Sequence, residues 1–288
     1  MKFLELTHLN REQCKQLNDL VLLIQKHQQH APMVYWHIIK KIRPYPCNIL
    51  VYSGNQLVGF ASRFLFHEKN CEVSLILHPQ FQDEHFAKQI LLSLFRYIPK
   101  EYKDNIIICS AHGKRPFINP QSDWELLYHS YRLQWQGPAK KPSPLQNYTF
   151  QKAEKQDFKG FQQLLEIGFP HGTDMTPEIY QTIIEGQFTQ LWLLKHEKKV
   201  IGAIQINQEN KWCRISDITV HPDYRQQGLG EFLLMSIVYI LHQRQKAICL
   251  DVESTNPVAF EWYLRRGMKK INCCDFWKIP TQKLFNMS

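Results

Sequence analysis

The 288-residue sequence is short of the features that would assign it quickly. No apolar run approaches the roughly 18 residues that a membrane-spanning helix needs. The expectation is therefore a soluble, cytoplasmic chain with no membrane partner. The start, MKFLELTHLNREQ, is interrupted by Glu5 and His8 and does not read as a secretory signal. Cysteine is present eight times but never as Cys-x-x-Cys, even though Cys273 and Cys274 are adjacent. That argues against a zinc ribbon and against a thioredoxin-like motif. Buried or idle thiols in a reducing compartment are expected. No metal site is expected from these spacings. Basic runs never exceed two residues, although the net charge is +9 and most of the surplus lies before residue 148. A basic half could face nucleic acid or an acidic partner. Without a cluster, a solvated surface is the expectation and nucleic acid is not an expected partner.

What is present is a globular composition, 44% hydrophobic and 21% charged, at a length suited to one large or two ordinary domains. The chain also repeats itself. His78-Pro79 returns as His221-Pro222 (221 − 78 = 143), and Gly59 in LVGFA returns as Gly202 in VIGAI (202 − 59 = 143). Two landmarks at one offset suggest duplication of a domain-sized unit, too long for a solenoid repeat. The stretch QGPAKKPSPLQN, with three prolines and one glycine, reads as a linker. The expected divisions are a first copy at 1–138, a Pro-rich linker at 139–147 and a second copy at 148–288.

The second copy reads β-α-α-β-β-β-α-β-α-β, with Thr176 and Asn256 as helix N-caps, each followed by proline. The first copy follows the same order. Asn10 and Gln13 form a capping pair, and a hairpin turns at Ser53-Gly54-Asn55-Gln56. The end of the first copy, DWELLYHSYRLQW, looks less regular. The expected class is α/β (α+β).

Between the strand ending at Val220 and the helix that follows lies Arg225-Gln226-Gln227-Gly228-Leu229-Gly230. Amides at a helix start are unpaired, the helix dipole adds positive potential, and glycines let the backbone approach an anion. This reads as a pyrophosphate cradle. A P-loop would need a Gly-Lys-Ser/Thr ending, and a dinucleotide fingerprint a third glycine where Leu233 stands. Neither fits.

The loop strongly resembles that of the GNAT superfamily of acetyl-CoA-dependent N-acetyltransferases, whose signature Arg/Gln-x-x-Gly-x-Gly/Ala is matched by Arg225, Gly228 and Gly230. A second stretch, LDVESTNPVAFEWYLRRGM, resembles another segment of the family, with Asn256, Ala259, Tyr263 and Gly267 at its spacing and Met268 in place of the commoner Phe. The first copy resembles the same fold with Gln82, His85 and Ala87 at the loop positions, His85 standing where a phosphate would lie. The whole chain is thus similar to tandem-GNAT proteins: two GNAT-like domains, each a mixed, mainly antiparallel twisted sheet flanked by helices, the first degenerate.

The resemblance implies acetyl-CoA as co-substrate. The site it implies consists of the loop Arg225, Gln226, Gln227, Gly228, Leu229 and Gly230, the backbone near Ile218 and Val220, and Asn256 and Tyr263. It further implies direct acetyl transfer to an amine, with Tyr263 as the acid for the leaving thiolate. Asp251 stands where some family members place a glutamate base; Glu253 and Asp217 are alternatives. His221 reads as a turn device, because the first copy keeps it as His78. Phe169, Tyr180 and Phe188 could line an acceptor pocket or the core. The acceptor is a small-molecule amine or a protein N-terminus. An acyl-CoA-binding regulatory protein without turnover is the alternative reading.

Overall fold

The computed structural model describes residues 1–67, 70–99, 102, 105–115, 124–169, 175–186, 188–209 and 212–280. The chain packs as two compact units. One comprises 1–132 with 252–261 and 270–288, the other 133–251 with 262–269. The packing unit is therefore a different division from the sequence repeat.

In the first unit the sheet order is β1 (Lys2–Leu6), β2 (Asn48–Ser53), β3 (Gln56–His67), β4 (Asn70–Leu77), β5 (Asn105–Ala111), then the strand Met268–Pro280, then β6 (Glu125–Trp135). Neighbours from β1 to β4 run antiparallel, and β4 and β5 pair in parallel. The irregular-looking end of the first copy is thus the long strand β6. Its partner comes from the far end of the chain, which is why local patterning missed it. Helices α1 (Arg11–Gln28) and α3 (Glu84–Phe95) cover opposite faces. On β2, Leu50 packs with Leu17 and Ile24 of α1, while its neighbours Ile49 and Val51 pack with Ile90 and Leu94 of α3. This is the period of two expected for a sheet buried on both sides. The Asn10–Gln13 capping box forms as expected, each bond 2.9 Å. A one-turn helix, α2 (Trp36–Ile39), was not anticipated.

The second unit has the order β7 (Tyr148–Lys152), β8 (Thr189–His196), β9 (Lys199–Glu209), β10 (Trp212–Val220), β11 (Ala247–Glu253). Helices α4 (Phe158–Gly168) and α5 (Pro177–Glu185) pack on Leu191, Leu193, Val200 and Ala203. Helix α6 (Leu229–Gln243) follows β10. Helix α7 (Pro257–Arg265) follows β11 and precedes β12, the strand Met268–Pro280 that lies in the first unit's sheet. The mixed, mostly antiparallel α/β architecture expected from the sequence is present.

The two landmark glycines do one job twice. A Cβ on Gly59 would lie 2.6 Å from Ile90 Cδ1, and one on Gly202 would lie 3.1 Å from Leu233 Cδ1. Each glycine lets a helix sit tightly on the sheet, and the contacted residues are themselves 233 − 90 = 143 apart. Residues 136–147 contain no helix or strand, in keeping with the proline count. No helix among the described residues is long and apolar enough to cross a membrane. All eight cysteines are buried.

One buried acid stands out in the first unit. Glu72 on β4 is 7% exposed, its Oε1 has no hydrogen-bond partner, and burial pushes its carboxyl up to about 8. A hydrogen bond from Tyr35 opposes the shift, and the charge of Glu253 adds to it. An unfolded glutamate titrates near 4.3. Between these values the folded state holds the extra proton, so stability falls as pH rises from about 4.5 to about 8 and then levels off. Glu72→Gln is expected to remove that dependence. It should be more stable than the parent by about 1 to 5 kcal/mol near pH 9 and close to it near pH 4.5. Urea unfolding at the two pH values checks this, and an unchanged pH slope in the variant would assign the dependence to another group.

Candidate active site

Strand β10 runs between β9 and β11, parts from β11 early and keeps β9 across a bulge. Its parallel register with β11 extends only from Trp212↔Ala247 to Ile215↔Leu250. Against β9 the register skips Asp217 and Ile218 and resumes at Thr219↔Ala203. Asp217 takes φ 53°, the left-handed region, as a bulge residue does. From Ser216 onward the β11-facing edge of β10 is outside the parallel ladder, so its backbone can bond a ligand lying along it.

The chain then turns. His221 N–H donates to Ile201 O (2.8 Å), and His221 Nδ1 accepts from Asp223 N–H (3.3 Å). Arg225 Nε donates to Val220 O (3.0 Å), folding that side chain back over the strand end. Gln226 takes φ 61°, and Gln227 Nε2 donates to Asp223 O (3.4 Å). Gly228 is the N-cap of α6 at φ 77° with no side-chain cap, and its carbonyl accepts the first helical bond, from Phe232 N–H (3.0 Å). The amides of Leu229, Gly230 and Glu231 therefore lie ahead of the helical ladder, at the positive end of a 15-residue helix. A Cβ at Gly228 would touch nothing within 4 Å. Glycine is needed there for its backbone angle, which costs other residues about 1–2 kcal/mol, and for open access to the amides.

Helix α7 comes alongside. Trp262 lies 3.8 Å from where a Cβ on Gly230 would be. Arg266 stacks on Trp262, 4.2 Å from the ring centroid, and pairs with Glu231 at 2.9 Å. That pair offsets the one acidic side chain in the first turn of α6. Next to Trp262 is Tyr263, whose phenol is pushed up to about 12, first by burial and second by the charge of Asp217. It therefore keeps its proton at any ordinary pH and is available as a donor. A backbone edge outside its ladder, an open helix start and a protonated phenol make a site for an extended anionic ligand with a reactive end.

The corresponding region of the first unit keeps the scaffold but caps the helix start. His78 N–H donates to Val58 O (2.9 Å), His78 Nδ1 accepts from Gln80 N–H (3.2 Å), and Gln82 Nε2 donates to Leu77 O (3.3 Å). Each bond repeats one in the second unit, 143 residues later. His221 and His78 are thus turn devices, as expected. The start of α3 differs. Asp83 caps it, its carboxylate accepting from Phe86 N–H (2.9 Å). His85 turns along the helix to Gln89 at 2.9 Å rather than into the place of a phosphate. The amide end is filled by the protein's own negative charge, not blocked by the imidazole.

Residues 148–268 match the sequence model of the acetyltransferase (GNAT) family. This part of the chain is a GNAT-family domain. Among curated proteins, the amino-acid acetyltransferase of Haemophilus ducreyi is 22% identical over 236 residues, which is 80% of this chain. The chain spans about half (51%) of that relative's length. Among solved structures, a GCN5-related N-acetyltransferase from Sphaerobacter thermophilus is similar at TM-score 0.68 and 12% identity, covering 97% of this chain and 96% of that one. A tandem GNAT protein from the clavulanic acid biosynthesis pathway is similar at TM-score 0.67 and 14% identity, covering 97% and 98%. These two likenesses extend the GNAT fold over nearly the whole chain.

The structure distributes the expected residues unevenly. Arg225 through Gly230, with Ile218 and Val220 on the preceding strand, line one continuous backbone path in the second unit. Tyr263 belongs to that unit and feels Asp217. Asp251 forms an ion pair with Arg214, 3.6 Å, both side chains largely buried. Asn256 caps α7, accepting from Ala259 N–H (3.1 Å). Glu253 is exposed and accepts from Thr255 Oγ1 (3.1 Å). Asn256 and Glu253 belong to the first unit. Tyr180 is core: it is 2% exposed, its hydroxyl donates to Glu154 O (2.7 Å) and its ring packs on Phe158 and Phe161. Phe169 packs against the same cluster, and Phe188 is 56% exposed. Residues 170–174 and 187 of the expected acceptor segment lie outside the described residues. Trp262 and Arg266, which flank the helix start, leave one local signal in the sequence, an arginine four residues after an aromatic on a helix.

Gly228→Asp is expected to weaken acetyl-CoA binding at least about 100-fold, because left-handed strain and a negative charge at the amides act together. Calorimetry on the folded variant checks this. Retained affinity would mean that the ligand's phosphates do not use this helix start.

Proposed function

We propose that the protein transfers an acetyl group from acetyl-CoA to a primary amine by direct attack, and that the second GNAT copy, residues 148–288, carries the chemistry. The observation that carries this reading is the junction of three features in one unit: the β10 edge freed after Ile215, the open start of α6 at Gly228, and the protonated Tyr263 beside them. The CoA pyrophosphate would bind the amides of Gln227 to Glu231. The pantetheine arm would bond the edge of β10 near Ile218 and Val220, placing a backbone amide at the acetyl oxygen.

The neutral amine nitrogen attacks the acetyl carbonyl carbon, and the C–N bond forms as the carbonyl electrons move to oxygen. The β10 amide stabilises that oxyanion. On collapse the C–S bond breaks, and Tyr263 gives its phenolic proton to the departing sulfur. The amine's surplus proton leaves through water to a carboxylate. Asp217, exposed on the bulge and close enough to shift the Tyr263 phenol, is placed for that relay. Asp251 is tied to Arg214, so we assign it to holding β10 and β11 in register beside the splay. The first copy contributes structure rather than CoA chemistry, given the Asp83 cap, so one acetyl-CoA binds per chain. Calorimetric titration to two equal sites would overturn that assignment.

The acceptor class is an amine, and the similarity to an amino-acid acetyltransferase makes amino acids the first panel to test, followed by small amines and peptide N-termini. Thiol release measured across that panel tests the proposal. Tight acetyl-CoA binding with no release on any member would favour a sensor.

Tyr263→Phe is expected to lower kcat about 100- to 10,000-fold with acetyl-CoA affinity almost unchanged. Because the phenol stays protonated up to about 12, the parent rate should rise with pH as free amine accumulates and should not fall between about pH 8 and 10. Asp217→Asn should slow the reaction most at low pH and recover as free amine becomes abundant. Asp251→Asn should give a defect that is constant with pH. A reversal of those two profiles would make Asp251 the relay.

A further inference from the structure

The first unit holds a second set of reactive side chains that acetyl transfer leaves unused. Asp275 on β12 is 3% exposed. Its Oδ1 accepts from two imidazoles, His112 Nδ1 at 2.7 Å and His129 Nδ1 at 2.8 Å, and its Oδ2 accepts from Gly113 N–H at 2.9 Å. Two residues earlier, on the same face of the strand, is the buried thiol of Cys273. The Cys273 sulfur, an Asp275 oxygen and a His112 ring nitrogen all lie within 4.8 Å of one another. The ring of His30 meets that of His112 edge-on at 5.7 Å, and His30 Nδ1 accepts from Cys273 N–H at 3.2 Å, which closes one side.

Satisfying a buried carboxylate explains part of this arrangement and not the rest. A buried carboxylate needs hydrogen bonds, and Gly113 with one imidazole would supply one to each oxygen. A second imidazole on the same oxygen and a thiol at the same point exceed that need. Imidazole, thiolate and carboxylate are the three donor types of zinc sites, whereas calcium and magnesium take oxygen. Tetrahedral bonds of about 2.0–2.3 Å put donors about 3.3–3.8 Å apart. The three donors, all within 4.8 Å of one another, are gathered near that spacing. His112 is 41% exposed and gives the ion a route in from solvent.

We infer that His112, Cys273 and Asp275 bind one zinc-type divalent cation, with His129 holding Asp275 in place. His112 follows β5, His129 sits on β6, and Asp275 lies on β12 between those two strands. The ion would clip β12 to the end of β5, while His129 ties Asp275 to β6, so its role is to stabilise the first unit.

The test uses the full chain, stripped with a chelator under a phosphine reductant and titrated with Co(II). One equivalent should produce a thiolate-to-cobalt charge-transfer band and tetrahedral d–d absorption, and Zn(II) should displace both. Cys273→Ser should abolish the charge-transfer band, and His112→Ala, at an exposed residue, should weaken Co(II) binding at least 10-fold. His129→Gln should weaken it about 10- to 100-fold, as loss of an orienting partner does. Zn(II) should raise the Tm of the parent and not that of Cys273→Ser. If Cys273→Ser fails to fold, His112→Ala decides alone. Absence of a charge-transfer band in the folded parent, its persistence in Cys273→Ser, or unchanged Co(II) affinity in His112→Ala would each overturn the inference.

Discussion

Between Ile215 and Val220 the chain parts from one neighbouring strand while holding the other. A backbone amide must bond to something, and in a sheet the something is normally the next strand. After Ile215 that partner is no longer available on the β11 side, and the bulge at Asp217 re-aims the amides that remain. The rest of the second unit supports this departure. Gly202 brings α6 close to the sheet, the His221 turn fixes the angle of exit, and Arg225 closes over the end of the strand. The helix then begins where the freed edge points. The proposed ligand path is made of main chain, so side chains would add little binding chemistry there.

The first unit shows what happens when the same scaffold is kept and the main-chain opportunity is withdrawn. The turn, the strand exit and the helix seat survive, bond for bond, 143 residues earlier. The left-handed glycine does not, and Asp83 occupies the amide it would have exposed. A helix start with glycine in place of a side-chain cap, as at Gly228, costs a few tenths of a kcal/mol by comparison with a capped one. On the function proposed above, a copy that binds no anion gains by capping itself, and the uncapped start of the second copy would receive its missing acceptor from the ligand.

Much of this could be read from the sequence, for a physical reason. Glycine spacing, N-caps and the His-Pro turn are local devices, so Gly228, Thr176, Asn256 and His78 announce themselves within a few residues. What stayed hidden depends on residues far apart. β6 looked irregular because its partner is β12, more than a hundred residues away. The group of His112, His129, Cys273 and Asp275 is scattered over β6, β12 and the turn after β5, and matches no linear spacing. Asp251 and Asp217 could not be ranked from sequence, because an ion pair with Arg214 and a bulge conformation are both tertiary facts.

The position of β12 has a consequence for how the protein is made. The edge of β5 is covered by residues that leave the ribosome more than 150 positions after it. At a synthesis rate of about 5–20 residues per second, that edge waits roughly 10 to 30 seconds for its partner. Throughout that time Ile106 to Ala111 form an apolar strand with unmade ladder bonds, the kind of surface that recruits another chain or a chaperone. The closing contact has a very large sequence separation, so it is also the slowest to find at random. A nascent chain cut short before β12 would be left with a gap beside β5, inside the first unit's sheet, rather than a frayed end.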